Sequence, residues 1–264
     1  MTHYRLAFAA LVLALAVGSA NAQCINFYNV VPDGRISSSY YSVAASSANT
    51  NFFTLTAGRS YSVEVSMPFD VFGTQPLQVF VNETTGGSCS LSNSGVTVNN
   101  ATAIDPNSGG GFTNVTRLTF TALSSGDFGY VVVNNTDVSN THFYNVTVSE
   151  TTMFSPSWST FTPFLTQWGL QNTTGSTINA VLTVTDSFGG GPYIKTVAIA
   201  PSATVFVRTG DSFAGGPIHA NHGGGAILTH DGPPGAIVAN CYILNTSGTV
   251  IFPVEFRGVR ENNH

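Results

Sequence analysis

Charge is what this sequence has least of. Only 8% of its 264 residues are charged, against ~25% in an ordinary soluble chain. Lys195 is the single lysine, and 8 Lys plus Arg against 13 Asp plus Glu leave a net charge of −5. A nucleic-acid binder needs a cationic stripe to displace counterions, so that class is excluded. A polybasic membrane-surface protein is excluded on the same ground. Paired CxxC motifs, a phosphate loop, a dinucleotide fingerprint and a Gly-x-Ser-x-Gly elbow are all missing. No catalytic residue and no organic cofactor is therefore expected. Helical periodicity is missing too: no segment holds a 3.6-residue apolar repeat beyond two turns.

The one long apolar run is Leu6–Val17, too short to cross a ~30 Å bilayer core as a helix. Arg5 precedes it, and Ala20-Asn21-Ala22 follows as a small-x-small cleavage site. Residues 1–22 are expected to be a cleaved signal peptide. The protein is then secreted, to the extracellular space or the cell surface. Export permits disulfides. Of the three cysteines, Cys24 and Cys89 share one half of the chain and are expected to pair. Cys241 lies in the apolar run Ala236–Leu244 and reads as a small buried hydrophobe. The odd count leaves an intermolecular bridge open.

What the sequence has is alternation. In Ser60-Tyr61-Ser62-Val63-Glu64-Val65 one face is apolar and the other polar, which predicts a half-buried antiparallel strand. Similar runs are Asn26–Val31, Asn51–Thr56, Leu77–Val81, Arg117–Ala122, Tyr130–Asn134 and Phe143–Val148. A second set comprises Leu165–Gln171, Ile178–Thr185, Tyr193–Ile199, Thr204–Arg208, Ala226–Thr229, Ile237–Leu244 and Val250–Phe256. Short strands at regular spacing with Gly/Pro turns predict a β-sandwich, and two sets predict two. The expected fold is all-β: two consecutive antiparallel β-sandwiches, jelly-roll or Ig-like. The domains are 23–150 and 158–260, with a linker at 151–157 and a polar tail at 261–264.

Two resemblances follow from these strands and turns. Phe53–Tyr61, Arg117–Ala122, Ser125-Gly126-Asp127-Phe128-Gly129-Tyr130-Val131 and Tyr144–Ser149 resemble a bacterial pre-peptidase C-terminal (PPC-like) domain over roughly Thr50–Glu150. That resemblance implies a compact sandwich of the kind appended to secreted enzymes and surface proteins. Some members bind matrix protein, polysaccharide or calcium. No acidic cluster here supplies the six to eight oxygens that calcium takes. Trp168–Gly175 and Thr229-His230-Asp231-Gly232-Pro233-Pro234-Gly235-Ala236-Ile237-Val238 are similar to a C-terminal β-sandwich domain of exported bacterial proteins. This second resemblance implies export and architecture.

The richest group of potential ligands is histidine. His219 and His222 form His-x-x-His, and His230-Asp231 follow. Imidazole and carboxylate suit zinc or copper. These four converge only if Gly223–Gly225 makes a turn. The competing reading is a solvated loop beside a rigid Asp231–Gly235 turn, with Asp231 bonding its own backbone. Tyr40, Tyr41, Trp158 and Trp168 stand in or beside candidate loops and are the expected ligand-contacting aromatics. Asn-x-Ser/Thr sequons occur at Asn82, Asn100, Asn114, Asn134, Asn145, Asn172 and Asn245.

Together these features predict a non-catalytic adhesion or binding protein that recognises polysaccharide or matrix protein. One alternative is a structural subunit that assembles into homo-oligomers or filaments through sheet edges. The other is a secreted metal-dependent or glycoside-cleaving enzyme.

Overall fold

The computed structural model describes residues 25–29, 36–43, 47–67, 78–83, 102–104, 114–134 and 141–258. The expected signal peptide, Cys24, Cys89 and the tail at 261–264 lie outside them. Among the described residues every regular element is a strand, so the all-β expectation holds. No described helix is long and apolar enough to cross a membrane.

The first half supplies β1 (Ile25–Asn29), β2 (Ile36–Val43), β3 (Ser47–Leu55), β4 (Ser60–Met67), β5 (Gln78–Glu83), β6 (Thr102–Ile104), β7 (Asn114–Thr121), β8 (Gly126–Asn134) and β9 (His142–Glu150). The second supplies β10 (Met153–Ser159), β11 (Phe164–Asn172), β12 (Ile178–Asp186), β13 (Tyr193–Ile199), β14 (Thr204–Arg208), β15 (Gly223–His230), β16 (Ile237–Asn245), β17 (Val250–Glu255) and β18 (Arg257–Gly258). Strands of the first half form sheets ordered β1-β3-β8-β5 and β2-β9-β4-β7-β6. Those of the second form β13-β12-β15-β10-β18 and β14-β11-β16-β17. The ladders are antiparallel, except the parallel β1–β3 pair.

Alternation decides which side of each strand is dry. On β11, Thr166, Trp168, Leu170 and Asn172 are buried, while Gln167 and Gln171 are not. Trp168 and Leu170 join Trp158, Leu182, Val184, Tyr193, Leu228 and Cys241 in one core shared by both second-half sheets. Fully burying each of the larger side chains stabilises by roughly 1.5–3 kcal/mol. Asn172 holds the polar end of this core. Its Nδ2 donates to the carbonyls of Ser176, Ile199 and Ala200, and its Oδ1 accepts from the Thr174 N–H and hydroxyl. Its side chain is enclosed and its amide nitrogen fully used, so this sequon is a structural position in the fold.

The segment expected as a linker is built into the sheets instead. Met153–Ser159 is β10, paired to β15 and β18. Pro156 cannot donate to the ladder, and the register shifts between Ser155 and Trp158 where it sits. Thr151 and Thr152 are buried and bonded to Ser60: the Thr151 N–H donates to Ser60 O at 2.8 Å, and the Ser60 N–H to Thr152 Oγ1 at 2.8 Å. Two residues of the polar face of β4, Ser60 and Ser62, are also buried. Ser62 lies opposite both Ser149 and Thr119, and Thr119 donates to the Asp231 carbonyl at 2.6 Å. The Asp231 turn of the second half therefore rests on a row that alternation alone assigns to water.

Candidate functional site

A group of potential ligand side chains gathers where β12 ends and β15 begins. These strands are antiparallel neighbours, so Asp186 at the end of β12 stands opposite Gly224 near the start of β15. His222 immediately precedes β15. Its Nδ1 lies 2.7 Å from Asp186 Oδ2. The Gly223–Gly225 run, expected as a turn or flexible loop, is strand. A side-chain carbon at Gly224 would collide with the Thr185 carbonyl, and one at Gly223 would lie 2.9 Å from the Trp158 carbonyl. Glycine lets β15 slip between β10 and β12, and that close approach brings His222 to Asp186.

The loop carrying the histidines is tied down. The Thr160 hydroxyl donates to the His219 carbonyl at 2.7 Å, the Thr160 N–H to the His222 carbonyl at 2.9 Å, and the Asn221 N–H to the Thr160 carbonyl at 3.1 Å. The rings of His219 and His222 lie 5.0 Å apart, nearly perpendicular. His219 also meets Tyr193 edge-on at 5.9 Å. One ligand atom each from Asp186, His219 and His222 lie within 4.8 Å of one another.

The Asp186 carboxylate is closed off from solvent while His222 is partly open. Desolvation pushes the Asp186 carboxyl up. Hydrogen bonds from the Phe188 N–H, His222 and Tyr193 outweigh it and hold the group below its ordinary range. Desolvation and the Asp186 charge both push the Tyr193 hydroxyl up, so Tyr193 stays a neutral donor. Gly190 closes the roof in a conformation (φ +146°) that favours glycine. A methyl group there would sit 2.8 Å from Tyr193 Oη, 3.0 Å from Asp186 Oδ2 and 3.2 Å from His219 Cε1.

The predicted site residues separate accordingly. His219 and His222 come together. His230 and Asp231 do not join them, because β15 runs straight and puts its far end about 25 Å away. His230 is buried and lines a cavity together with residues 149–153. Asp231 is engaged with Asn179. Asp186 takes the carboxylate place. Its sequence signal was an acid at the end of a strand, with Ser187 between it and Phe188-Gly189-Gly190-Gly191. Trp158 and Trp168 are core residues, exposed by only 2% and 0%, and not ligand contacts. Both occupy inward positions, and Trp158 Nε1 donates to the Thr185 carbonyl at 2.9 Å. Tyr40 and Tyr41 lie on β2, but their side chains are outside the described residues.

Exposed aromatics occur elsewhere. On the outer face of the β14-β11-β16-β17 sheet, Phe206 is 54% exposed. Its partner across the ladder is Gly169. A side-chain carbon at Gly169 would sit 3.2 Å from the Phe206 ring and 3.7 Å from Tyr242, so the missing side chain lets the Phe206 ring lean over the strand. Beside it Arg208 Nε donates to Gln167 Oε1 at 2.8 Å. Gln171, Val238 and Asn240 continue this face. The result is an apolar ring flanked by planar hydrogen-bonding groups.

Compared with known proteins, the chain matches no protein-family model and no curated relative.

Proposed function

We propose that this protein is exported by its N-terminal signal and acts without catalysis, as a binding module made of two β-sandwiches, the first PPC-like. Its ligand is an extended polysaccharide. The observation that carries this reading is the outer face around Phe206. A pyranose presents an apolar C–H face and a rim of hydroxyls. The Phe206 ring offers an apolar surface to the first. Gln167, Gln171, Arg208 and Asn240 offer amide and guanidinium groups to the second. The low charge of the chain suits a neutral ligand, since no strong field steers an ionic one.

The test is a binding array of polysaccharides and extracellular-matrix proteins, probed with residues 23–264. Saturable binding to a polysaccharide class is expected. Phe206→Ala should weaken it about tenfold, as loss of one stacked ring worth ~1.4 kcal/mol does. Binding to matrix protein alone would replace the polysaccharide reading. A blank array with folded protein would end it.

A second reading has its own observation. The strand β17 is the last strand of its sheet among the described residues, and it exposes Val250, Ile251 and Phe252 at 49%, 38% and 56%. An open apolar edge can pair with another chain. Pro253 limits such pairing. Scattering mass that rises with concentration would favour a self-assembling subunit.

A further inference from the structure

We infer that Asp186, His219 and His222 form a binding site for one divalent transition-metal ion of the zinc–copper class. This inference is independent of the polysaccharide reading, because the cluster lies on other elements from Phe206.

The donor set is the first argument. One carboxylate and two imidazoles are borderline ligands that suit zinc or copper rather than calcium or magnesium. Three protein ligands leave a fourth position open, and His219 is exposed. The second argument is distance. Two imidazoles bound to one tetrahedral ion at about 2.0–2.1 Å place their ring centres about 5 Å apart. The His219 and His222 rings are 5.0 Å apart and nearly perpendicular. Ligand atoms of such a site are about 3.3 Å from one another. Here one ligand atom from each residue falls within 4.8 Å of the others, and His222 Nδ1 lies 2.7 Å from Asp186 Oδ2. Binding replaces the proton shared by that pair with the ion, so the two atoms part by about half an ångström.

The third argument is the setting. A hydrogen-bonded pair needs one histidine, and His222 already serves Asp186. His219 adds nothing to that pair, yet its loop is held in place by Thr160 on the backbone of both histidines. The Asp186 side chain is closed to solvent and directed at the cluster. The Phe188 N–H fixes its other oxygen at 2.9 Å. Tyr193 supports Oδ2 from behind at 3.4 Å. Gly190 leaves empty the space that a methyl group would take among all three. Such support around the ligands holds a metal site in shape.

The experiment is calorimetric titration of zinc chloride into the untagged protein after chelator treatment and dialysis. One equivalent is expected to bind. His219→Ala is the first variant, since its ring is exposed. It should weaken binding by more than about tenfold, and the His219→Ala/His222→Ala double variant by more than about 100-fold. His230→Asn should leave binding unchanged. Cobalt offers a second readout. The cobalt-loaded protein should show the intense visible bands of four-coordinate Co2+, and Gly190→Ala should alter them without unfolding the chain. Absence of saturable binding by the folded parent protein would overturn the assignment. Undiminished binding in the double variant would also overturn it, by placing the ion elsewhere.

Discussion

Asp231 grips Asn179 with both oxygens: Oδ1 accepts the Asn179 backbone N–H at 2.7 Å, and Oδ2 accepts its side-chain amide at 2.7 Å. Asp231 follows the end of β15, Asn179 lies near the start of β12, and the carboxylate closes the ladder between them. The contact ties the start of the Asp231–Gly235 turn to β12. It also holds Asp231 at the far end of β15 from His219 and His222, so Asp231 does not join them as a ligand. Replacing Asp231 with Ala removes two charge-assisted bonds at an exposed site. A loss of about 1–2 kcal/mol is expected in urea unfolding, with zinc binding unchanged.

One residue earlier, His230 is 5% exposed. Burial pushes its imidazole down to about 4 from 6.5. Its Nδ1 accepts the Gly232 N–H at 3.2 Å, so the neutral ring carries its proton on Nε2. Asp231 next in the chain opposes the shift, and Glu150 lines the same cavity. Between pH 6.5 and 4 the unfolded chain binds a proton that the folded chain refuses. Stability therefore falls as pH drops through that window, by on the order of 3 kcal/mol in all. His230→Asn keeps an acceptor for Gly232 and removes the titration. Unfolding midpoints of parent and variant should converge as pH falls from 6.5 to 4. Parallel curves would refute the assignment.

Cys241 is fully buried, and burial pushes its thiol up to about 11. Its Sγ contacts the Ser157 carbonyl at 3.4 Å. At pH 8 only about one molecule in a thousand carries the reactive thiolate. Alkylation followed by peptide mass spectrometry should leave Cys241 unmodified in the folded protein and label it rapidly in denaturant. This burial also removes Cys241 as the source of an intermolecular bridge.

Legibility in the sequence followed the period-two pattern. Tyr193–Ile199 and Thr204–Arg208 are strands to the residue. Ile36–Val43 escaped because its Ser38-Ser39-Tyr40-Tyr41 centre does not alternate, and the register against β9 shifts there. Met153–Ser159 escaped because Pro156 reads as a break, yet a bulge absorbs it. Alternation also assigned Ser60 and Ser62 to water. They are buried, because the Asp231 turn and Thr151-Thr152 cover that face, a long-range contact that no local pattern encodes. The site was half legible. His219-x-x-His222 advertised itself by composition. Asp186 lies more than thirty residues upstream and arrives only through the pairing of β12 with β15.

That pairing depends on Gly224, which argues the last prediction. Gly224 lies between Asp186 on one side and Trp158 on the other. A methyl group there would strike the Thr185 carbonyl and stand 3.1 Å from the Ser187 nitrogen. Both are backbone atoms of the residues flanking Asp186, so neither yields by a change of rotamer. Gly224→Ala must push the end of β12 away from β15. The expected cost is about 2–4 kcal/mol in urea unfolding, an overpacking effect that outweighs the gain in backbone rigidity. Gly175→Ala is the matched control, because open space surrounds that position, and it should change stability by less than about 0.5 kcal/mol. The displacement should also separate Asp186 from His222, so Gly224→Ala should lose zinc affinity even where the chain remains folded. A Gly224→Ala protein with parental stability would show that β15 does not need glycine for its place between β10 and β12.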